Sequence, residues 1–352
     1  MDQAGEALAT VAPALAFLLV GVPLAALLDE LGLFDAVAGL LEQRFRDLPV
    51  LALWLLAAAT TIVLNLDTTI VLLTPLYVRL ARRAGVDPVP VALVPLLLAA
   101  FASSVLPISN LTTLIATEQL GLSVIDVVTH LALPSAAAVV VGWFAYRRLH
   151  PVRLAAGPSE PVDRAPLRLG IPVVVALLVG VTVGPSLGVP PWAVVLVADL
   201  VLVVGVRRFP WKAVPIGTAV AVGALAAVVG AVVSPDLLDG VRSVDGPLAA
   251  GGVTLLATVA ANVVNNIPAT LLMVNGASGA TTGTWAWLLG VNVGAVLVPI
   301  GALANLLWRR ILREEGLAIG WSRYVRSVVP IALPALAAAI VVQGVQLALT
   351  GR

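Results

Sequence analysis

Four short polar stretches interrupt long apolar segments of this chain, and they hold most of the side chains that could do chemistry. The stretches are residues 65–69, 107–113, 265–268 and 299–305. They supply carboxamides, hydroxyls and one carboxyl group, which can hydrogen-bond a small polar solute or coordinate a cation. We therefore predict one substrate or ion site, with the candidate residues Asn65, Asp67, Thr68, Thr69, Ser109, Asn110, Thr112, Thr113, Asn265, Asn266, Thr270, Asn292 and Gly301.

Asp67 is the candidate proton-coupling residue, because its carboxyl group lies deep within apolar sequence. An ionised carboxylate is costly in such surroundings, so a carboxyl group there is by default a candidate functional residue. Burial favours the neutral form, which suits a group that binds and releases a proton or exchanges a proton for a cation. The alternative is a neutral Asp67 that caps a helix through the backbone amides of Thr68 and Thr69.

The other polar residues have structural alternatives as well. The carboxamides and hydroxyls of the four stretches could simply satisfy backbone groups that broken helices leave unpaired. Asp199, in a separate apolar run, is expected to be a hydrogen-bonded structural carboxylate rather than a second titrating group. His130 follows Asp126 by one helical turn, and we expect a solvated interfacial pair rather than a pH-sensitive gate.

The composition indicates a polytopic membrane protein. Of the 352 residues, 60% are hydrophobic and 11% are charged, whereas soluble domains have about 45–50% and about 25%. The absence of cysteine excludes disulfides and thiolate ligation, and two histidines leave little for a zinc or haem site. No cofactor is therefore expected, and a net charge of +1 gives no reason to expect nucleic acid as a partner.

A bilayer-spanning helix needs about 20 apolar residues. This length predicts plain spans at 8–28, 124–146, 169–186, 190–206, 211–233 and 327–349. The segments 48–81 and 249–275 are predicted to be re-entrant hairpins, because a polar tip divides each into two short apolar arms. The segments 89–120 and 284–312 are predicted to cross once, each as a helix broken at a proline-containing patch.

The basic residues test this arrangement. With the N-terminus outside, 18 of the 20 basic residues fall on one face, and only Arg242 and Arg352 fall on the other. The positive-inside rule makes the first face cytoplasmic, so both termini of this multi-pass protein are expected outside the cell. No cleaved signal is expected, and the charged segment 147–168 is predicted to be a solvated cytoplasmic linker. Interfacial anchors are predicted at Trp192, Trp211, Trp285, Trp287 and Trp308.

The two halves of the chain resemble each other at their unusual places. PISNLTTL at 107–114 aligns with PIGALANL at 299–306, and each follows a hairpin with asparagine at its tip. We therefore predict an all-α polytopic membrane protein with two inverted-topology repeats, each with a re-entrant helical hairpin and a broken transmembrane helix. The repeats are 1–148 and 211–352, joined by a linker and two connecting transmembrane helices at 149–210. Paired interruptions of this kind point to the substrate site of a transporter.

Four stretches carry a family resemblance: NLDTTIVLLTP at 65–75, SNLTT at 109–113, ANVVNNIPATLL at 261–272 and GVNVGAVLVPIGALANLLW at 290–308. They resemble the arsenical pump membrane proteins, which belong to an ion-transporter superfamily with sodium/proton antiporters and dicarboxylate symporters. The resemblance covers about residues 48–345. It implies proton-coupled export of arsenite or antimonite across the cytoplasmic membrane, by an elevator-like or rocking motion about a central site. The chain departs from the family pattern at Leu66, which separates Asn65 from Asp67, and at Gly301-Ala302, where a polar residue is often found.

Several other functions stay open from the sequence. Within the superfamily, the alternatives are Na⁺/H⁺ antiport and symport of a carboxylate or inorganic anion, with H⁺ or Na⁺ as the coupling ion. An intramembrane enzyme is a remote alternative, because the motifs HExxH and GxGD are both absent. The resemblance to dimeric symporters implies a homodimer in the lipid bilayer. The motif GxxxxGK[ST] is absent, so a nucleotide-driven pump within this chain is unsupported, and a separate ATPase subunit stays open as a partner.

Overall fold

The computed structural model describes residues 3–44, 47–48, 50–155 and 163–350. Within these ranges the chain is almost entirely helical, which confirms the predicted all-α class. The first eight helices are α1 (Gln3–Glu30), α2 (Leu33–Arg44), α3 (Val50–Val63), α4 (Leu66–Arg83), α5 (Pro88–Phe101), α6 (Leu111–Leu120), α7 (Val124–Leu149) and α8 (Ala165–Val183). The remaining helices are α9 (Pro191–Val206), α10 (Ile216–Val232), α11 (Asp239–Arg242), α12 (Pro247–Val264), α13 (Asn266–Val274), α14 (Thr282–Val293), α15 (Leu303–Glu314) and α16 (Trp321–Thr350). Short 3-10 turns occupy Pro107–Ser109, Gly184–Leu187, Trp211–Ala213, Pro235–Leu238 and Gly294–Leu297.

Six helices of the described chain are long and apolar enough to cross a membrane, as in a multi-pass membrane protein. Five of them, α1, α7, α8, α10 and α16, coincide with predicted plain spans. The sixth is α12, which the sequence analysis assigned to one arm of a hairpin. The predicted span at 190–206 is the shorter, 16-residue α9, because Pro191 begins the helix and Arg207 ends it in the left-handed conformation.

A two-residue antiparallel ladder joins two of the loops. Asp47–Leu48 (β1) pairs with Leu154–Ala155 (β2). Leu154 is buried, so the expectation of a solvated linker is wrong for the part of 147–168 that forms this ladder. Residues 156–162, which include Glu160 of that linker, lie outside the described residues, as do Arg46 and Arg352 of the charge count.

Helices α3 and α4 run antiparallel on either side of Asn65. The hydroxyl oxygens of Thr61 and Thr69 are 2.9 Å apart. Further from the turn, the Tyr77 hydroxyl donates to the carbonyl of Leu53 at 2.6 Å. With distance from the turn, the contacting residue comes earlier on α3 and later on α4, so the two helices are antiparallel.

The chain from the end of α5 to the first break runs in the same direction as α3. The Ser109 hydroxyl, in the 3-10 turn after α5, donates to the carbonyl of Ile62 at 2.7 Å. Near the start of α3, Trp54 packs against Phe101, the last residue of α5, with ring centroids 6.5 Å apart. The two pairs have the same sequence separation of 47 residues. This segment is therefore parallel to α3.

Helices α12 and α14 repeat this parallel relation in the second half. Three side chains of α12 lie within hydrogen-bond distance of carbonyls 32 residues further along: Thr254 and Ala286 at 3.0 Å, Thr258 and Gly290 at 3.4 Å, and Asn262 and Gly294 at 2.8 Å. Each threonine hydroxyl shares its one hydrogen with the carbonyl one turn earlier on α12, at 3.1 Å for Thr254 and 2.9 Å for Thr258. Glycine permits the close approach, because a Cβ at Gly290 would lie 2.3 Å from the carbonyl oxygen of Thr254. We call these three hydrogen bonds the α12–α14 ladder.

The long helix α7 contacts both halves of the chain and shows where α3 and α12 begin relative to each other. Near its C-terminal end, Tyr146 packs against Trp54 of α3, with ring centroids 5.4 Å apart. Near its N-terminal end, His130 stacks on Trp285 of α14 at 4.3 Å. Because α12 runs parallel to α14, helices α3 and α12 begin beside opposite ends of α7.

Three of the tryptophans predicted as interfacial anchors are instead buried, namely Trp285, Trp287 and Trp308. The indole nitrogen of Trp287 donates to the carbonyl of Ala269 at 3.0 Å, and that of Trp308 donates to the carbonyl of Ala92 at 2.7 Å. The prediction failed because α14 and α15 pack inside the bundle, where an indole finds carbonyl partners rather than lipid headgroups.

Arg242 is buried, although its loop contains three aspartates that suggested a solvated exterior segment. Its guanidinium donates to the carbonyls of Met273 at 3.0 Å, Asn275 at 2.9 Å and Pro235, and to the carboxylate of Asp239 at 2.6 Å. These bonds attach the loop after α10 to the end of α13.

We expect Arg242→Met to lower the free energy of unfolding by about 1–3 kcal/mol, because several backbone carbonyls lose their donor. Chemical denaturation in detergent micelles measures the change. The control is Arg310→Met, whose exposed side chain pairs with Glu314 at 2.9 Å, and which should cost about 0.5 kcal/mol or less. Equal losses in the two variants would contradict a structural role for the Arg242 bonds.

Candidate substrate site

The N-terminal ends of four helices, α4, α6, α13 and α15, meet at one cavity. The empty space between them, including the solvent open to it, is about 320 Å³. Its lining residues are Leu66, Asp67, Asn110, Leu111, Asn266, Ile267, Ala302, Leu303 and Ala304 from these helix starts, and Leu18 of α1 and Thr218 of α10. All four polar stretches of the sequence therefore contribute to one space.

The helix starts give the cavity a positive electrostatic character. The first N–H groups of a helix lack partners within it and carry partial positive charge. Helix α15 follows Ala302 and has no side-chain cap. The other three starts are capped by asparagine: Asn65 Oδ1 accepts from Thr68 N at 2.7 Å, Asn110 Oδ1 from Thr112 N at 3.1 Å and Asn265 Oδ1 from Ile267 N at 3.3 Å. Such an arrangement favours an anion or the oxygen atoms of a polar solute.

Asp67 carries the one titratable side chain among the lining residues. It is half-buried, and across the described chain its carboxyl group has no hydrogen-bond or ion-pair partner. Asn65, not Asp67, caps α4, since the carbonyl of Asn65 also accepts from Thr69 N at 3.1 Å. The capping alternative for Asp67 is therefore wrong, and its carboxyl group faces the cavity able to bind a proton or a cation.

Asn266 has an unpaired polar atom at the cavity. Its side-chain oxygen has no hydrogen-bond partner within the described residues, although the residue is only 5% exposed. Its backbone N–H donates to the carbonyl of Gly301 at 2.9 Å, which fixes the start of α13 against the second break. A buried, unpaired carboxamide oxygen is costly unless something else binds it, so Asn266 is a candidate acceptor for a solute hydroxyl. Thr68 Oγ1 is likewise buried and unpaired, but Thr68 does not line the cavity.

Most of the other predicted residues lie behind the cavity wall, where they bond the interrupted backbone. Thr112, Thr113 and Asn292 are buried in a separate hydrogen-bond network. Asn265 Nδ2 donates to the carbonyl of Ile300 at 2.9 Å. Three hydroxyls bond carbonyls of their own helix or a neighbouring one: Thr69 to Asn65 at 3.0 Å, Ser109 to Ile62 at 2.7 Å and Thr270 to Asn266 at 2.8 Å.

Two structural asparagines were not among the predicted residues, although both lie in the motifs that carry the family resemblance. Asn262 bonds the carbonyl of Gly294 at 2.8 Å and the amide of Val298 at 2.9 Å. Asn305 donates to the carbonyls of Ala295 at 2.9 Å and Val298 at 3.0 Å. Asn262 lies one helical turn before the polar stretch 265–268, and Asn305 ends the stretch 299–305, and these positions were the signal that could have found them.

Thr218 and Leu18 were also missed. They lie in apolar spans without interruption, so no pattern in the sequence marks them. Helices α1 and α10 pack against each other and form the side of the cavity that the four helix starts leave open.

Asp199 differs from its prediction. The residue is 2% exposed, and neither carboxyl oxygen has a hydrogen-bond partner within the described ranges. His130 is also not a solvated partner of the Asp126 carboxylate. Its ring bonds the Asp126 carbonyl at 2.7 Å, while the carboxylate of Asp126 bonds Ser123 in a capping box.

Comparison of the sequence with known proteins identifies relatives and a family. The chain is 27% identical over 368 residues to an arsenical pump membrane protein of Escherichia coli (strain K12), which covers 92% of this chain and 84% of that protein. A protein of the same description from Yersinia enterocolitica is 28% identical over 369 residues, with the same coverage. Residues 3–291 match the model of the family described as citrate transporter (CitMHS). This match extends over most of the chain, so the protein is a membrane transporter that belongs to the citrate transporter family.

Proposed function

We propose that this transporter exports arsenite or antimonite across the cytoplasmic membrane in exchange for protons. The observation that carries the proposal is the cavity at which four helix starts surround one unpaired carboxyl group. Its support from relatives is the similarity to arsenical pump membrane proteins along 92% of the chain.

The chemistry of the cavity suits a small, uncharged oxygen compound. Arsenite at neutral pH is chiefly an uncharged trihydroxide, which both donates and accepts hydrogen bonds. Helix N–H groups would donate to its oxygens, and the unpaired Asn266 oxygen would accept from one of its hydroxyls. The chain contains no cysteine, so this binding uses oxygen and nitrogen groups rather than thiolates.

Asp67 is the proposed proton carrier. In its ionised form, the carboxylate is stabilised by the positive ends of the helices around it. When the cavity is open to the exterior, Asp67 would bind a proton and arsenite would leave. When the cavity is open to the cytoplasm, Asp67 would release the proton and arsenite would bind. Each cycle then moves arsenite outward and a proton inward.

The proposed framework for this cycle is two inverted repeats, with re-entrant hairpins at 48–81 and 249–275. Two observations support it. In each half, the first arm of the hairpin is parallel to the chain segment that leads to the break, and α3 and α12 begin at opposite ends of α7. Helices α1 and α10 are then the equivalent first helices of the repeats 1–148 and 211–352. Motion of the hairpins and broken helices against this pair would open the cavity to each side in turn, with both termini outside.

Uptake or export of a carboxylate anion is a second candidate function. The family description and the four helix starts favour it, because each start carries roughly half a positive charge. Against it, no Lys, Arg or His of the described residues lines the cavity to pair with carboxylate groups. A tricarboxylate such as citrate would therefore depend on backbone amides alone, beside a carboxyl group that repels it when ionised.

Everted membrane vesicles test the proposal. We expect arsenite to accumulate in vesicles with an acidic interior, and a protonophore to abolish the accumulation. Vesicles from cells that lack the protein are the control for leak. Transport of citrate with no arsenite flux would favour the second candidate, and sodium-dependent flux that ignores the protonophore would contradict proton exchange.

A further inference from the structure

Asn292 lies on α14, in the second half of the chain, but its side-chain hydrogen bonds all reach the first half. Its Nδ2 donates to the hydroxyls of Ser104 and Thr113 at 2.9 Å each. Its Oδ1 accepts from Asn110 Nδ2 at 3.0 Å and from the Thr112 hydroxyl at 2.5 Å. A carboxamide has two donor hydrogens and two lone pairs, so these bonds use its full capacity. The residue is 2% exposed, and nothing remains for a solute.

These bonds determine how the start of α6 faces the cavity. The Nδ2 group of Asn110 is directed to Asn292 and, at 3.1 Å, to the Ser103 hydroxyl. The opposite side of the same carboxamide therefore faces α6, where Oδ1 caps Thr112 N. Asn110 and Leu111 line the cavity, so the orientation of a cavity wall depends on a residue about 180 positions away.

The second break is held differently. Asn262 and Asn305, both in the second half, bond the carbonyls and the amide that this break leaves unpaired. Leu303 begins α15 at the position that aligns with Leu111 of α6, and it also lines the cavity. The two equivalent helix starts thus have different supports, one from the other half and one from its own.

We propose that Asn292 is a positioning residue that fixes the start of α6 and makes it move together with α14. The functional meaning rests on the proposed transport site, because the start of α6 is part of that cavity. The coupling itself is a property of the protein without substrate. It predicts that loss of the Asn292 carboxamide loosens Leu111 and leaves Leu303 in place.

The natural absence of cysteine makes the test direct. Leu111→Cys and Leu303→Cys each introduce one thiol, whose rate of reaction with a small charged thiol reagent reports its exposure to water. We expect Asn292→Ala to raise the rate at position 111 by about tenfold, the effect of one buried hydrogen bond on a local opening equilibrium. The rate at position 303 should stay at its parent value. Asn305→Ala is the matched control and should raise the rate at 303 only.

Equal increases at both positions would overturn the proposal, because they would show general loosening of the bundle. Unchanged rates at both positions would also overturn it. If Asn292→Ala does not fold, Thr113→Val removes one Asn292 partner at nearly constant volume, and the same difference between 111 and 303 is expected. Arsenite has no part in this measurement, so the coupling and the proposed substrate can fail separately.

Discussion

Asp67→Asn is expected to abolish the proton dependence of arsenite transport while the protein still folds. The amide has nearly the same shape as the carboxyl group but cannot exchange a proton, and no partner within the described residues loses a bond. Transport driven by an acidic vesicle interior should fall on the order of a hundredfold, the lower end of what a positioned proton-transfer group contributes. Everted vesicles with and without a protonophore give the measurement.

Asp199→Asn is the matched control, because Asp199 is a second carboxyl group within apolar sequence. It lies on α9, does not line the cavity and has no hydrogen-bond partner in the described part of the chain. We expect normal proton-driven transport in this variant and equal or greater stability, since it removes a buried ionisable group without a partner. Proton-driven transport that survives Asp67→Asn, or is lost in Asp199→Asn, would contradict the assignment of the proton carrier.

Gly301→Ala is expected to disable the second break. A Cβ at this position would lie 2.1 Å from the carbonyl oxygen of Ala295 and 2.6 Å from Asn262 Oδ1. The backbone must shift to relieve the contact, and the Gly301 carbonyl would then lose its place against the amide of Asn266. Overpacking of this kind costs about 1–3 kcal/mol. We expect a lower thermal midpoint in detergent and at least about tenfold slower arsenite transport, a change equivalent to 1.4 kcal/mol.

Gly252→Ala is the control for this substitution. Gly252 lies in α12, and a Cβ there meets no atom within 4 Å. Alanine is favoured over glycine in a helix by up to about 1 kcal/mol, so the thermal midpoint should stay or rise. A Gly301→Ala protein with the stability and transport of the parent would show that the break tolerates displacement.

The interruptions were predictable from sequence because they depend on local chemistry, whereas the one cap considered, Asp67, was the wrong residue. An asparagine between two apolar runs is both a poor helix residue and a good cap, and Asn65, Asn110 and Asn265 all serve as caps. Asp67 was predictable for a similar reason, since a carboxyl group in apolar sequence is costly to bury and is therefore a candidate functional residue.

The direction in which each polar side chain points was not predictable. Asn110 and Asn292 have the same chemistry in similar apolar surroundings, yet Asn110 lines the cavity and Asn292 lies behind it. The difference arises from the packing of α14 against the first break, which involves residues about 180 positions apart. Thr218 was unpredictable for the opposite reason, because it lines the cavity from a long apolar span that no polar stretch interrupts.

The α12–α14 ladder restricts how the second half can rearrange. Its hydrogen bonds recur once per helical turn at one constant offset, so a small axial slip of one helix along the other would break all of them together. They could form again only after a shift of four residues, about 6 Å at 1.5 Å per residue. The ladder therefore opposes a small axial slip between the two helices. It favours displacement of α12 and α14 together, and Asn292 of α14 then moves with them.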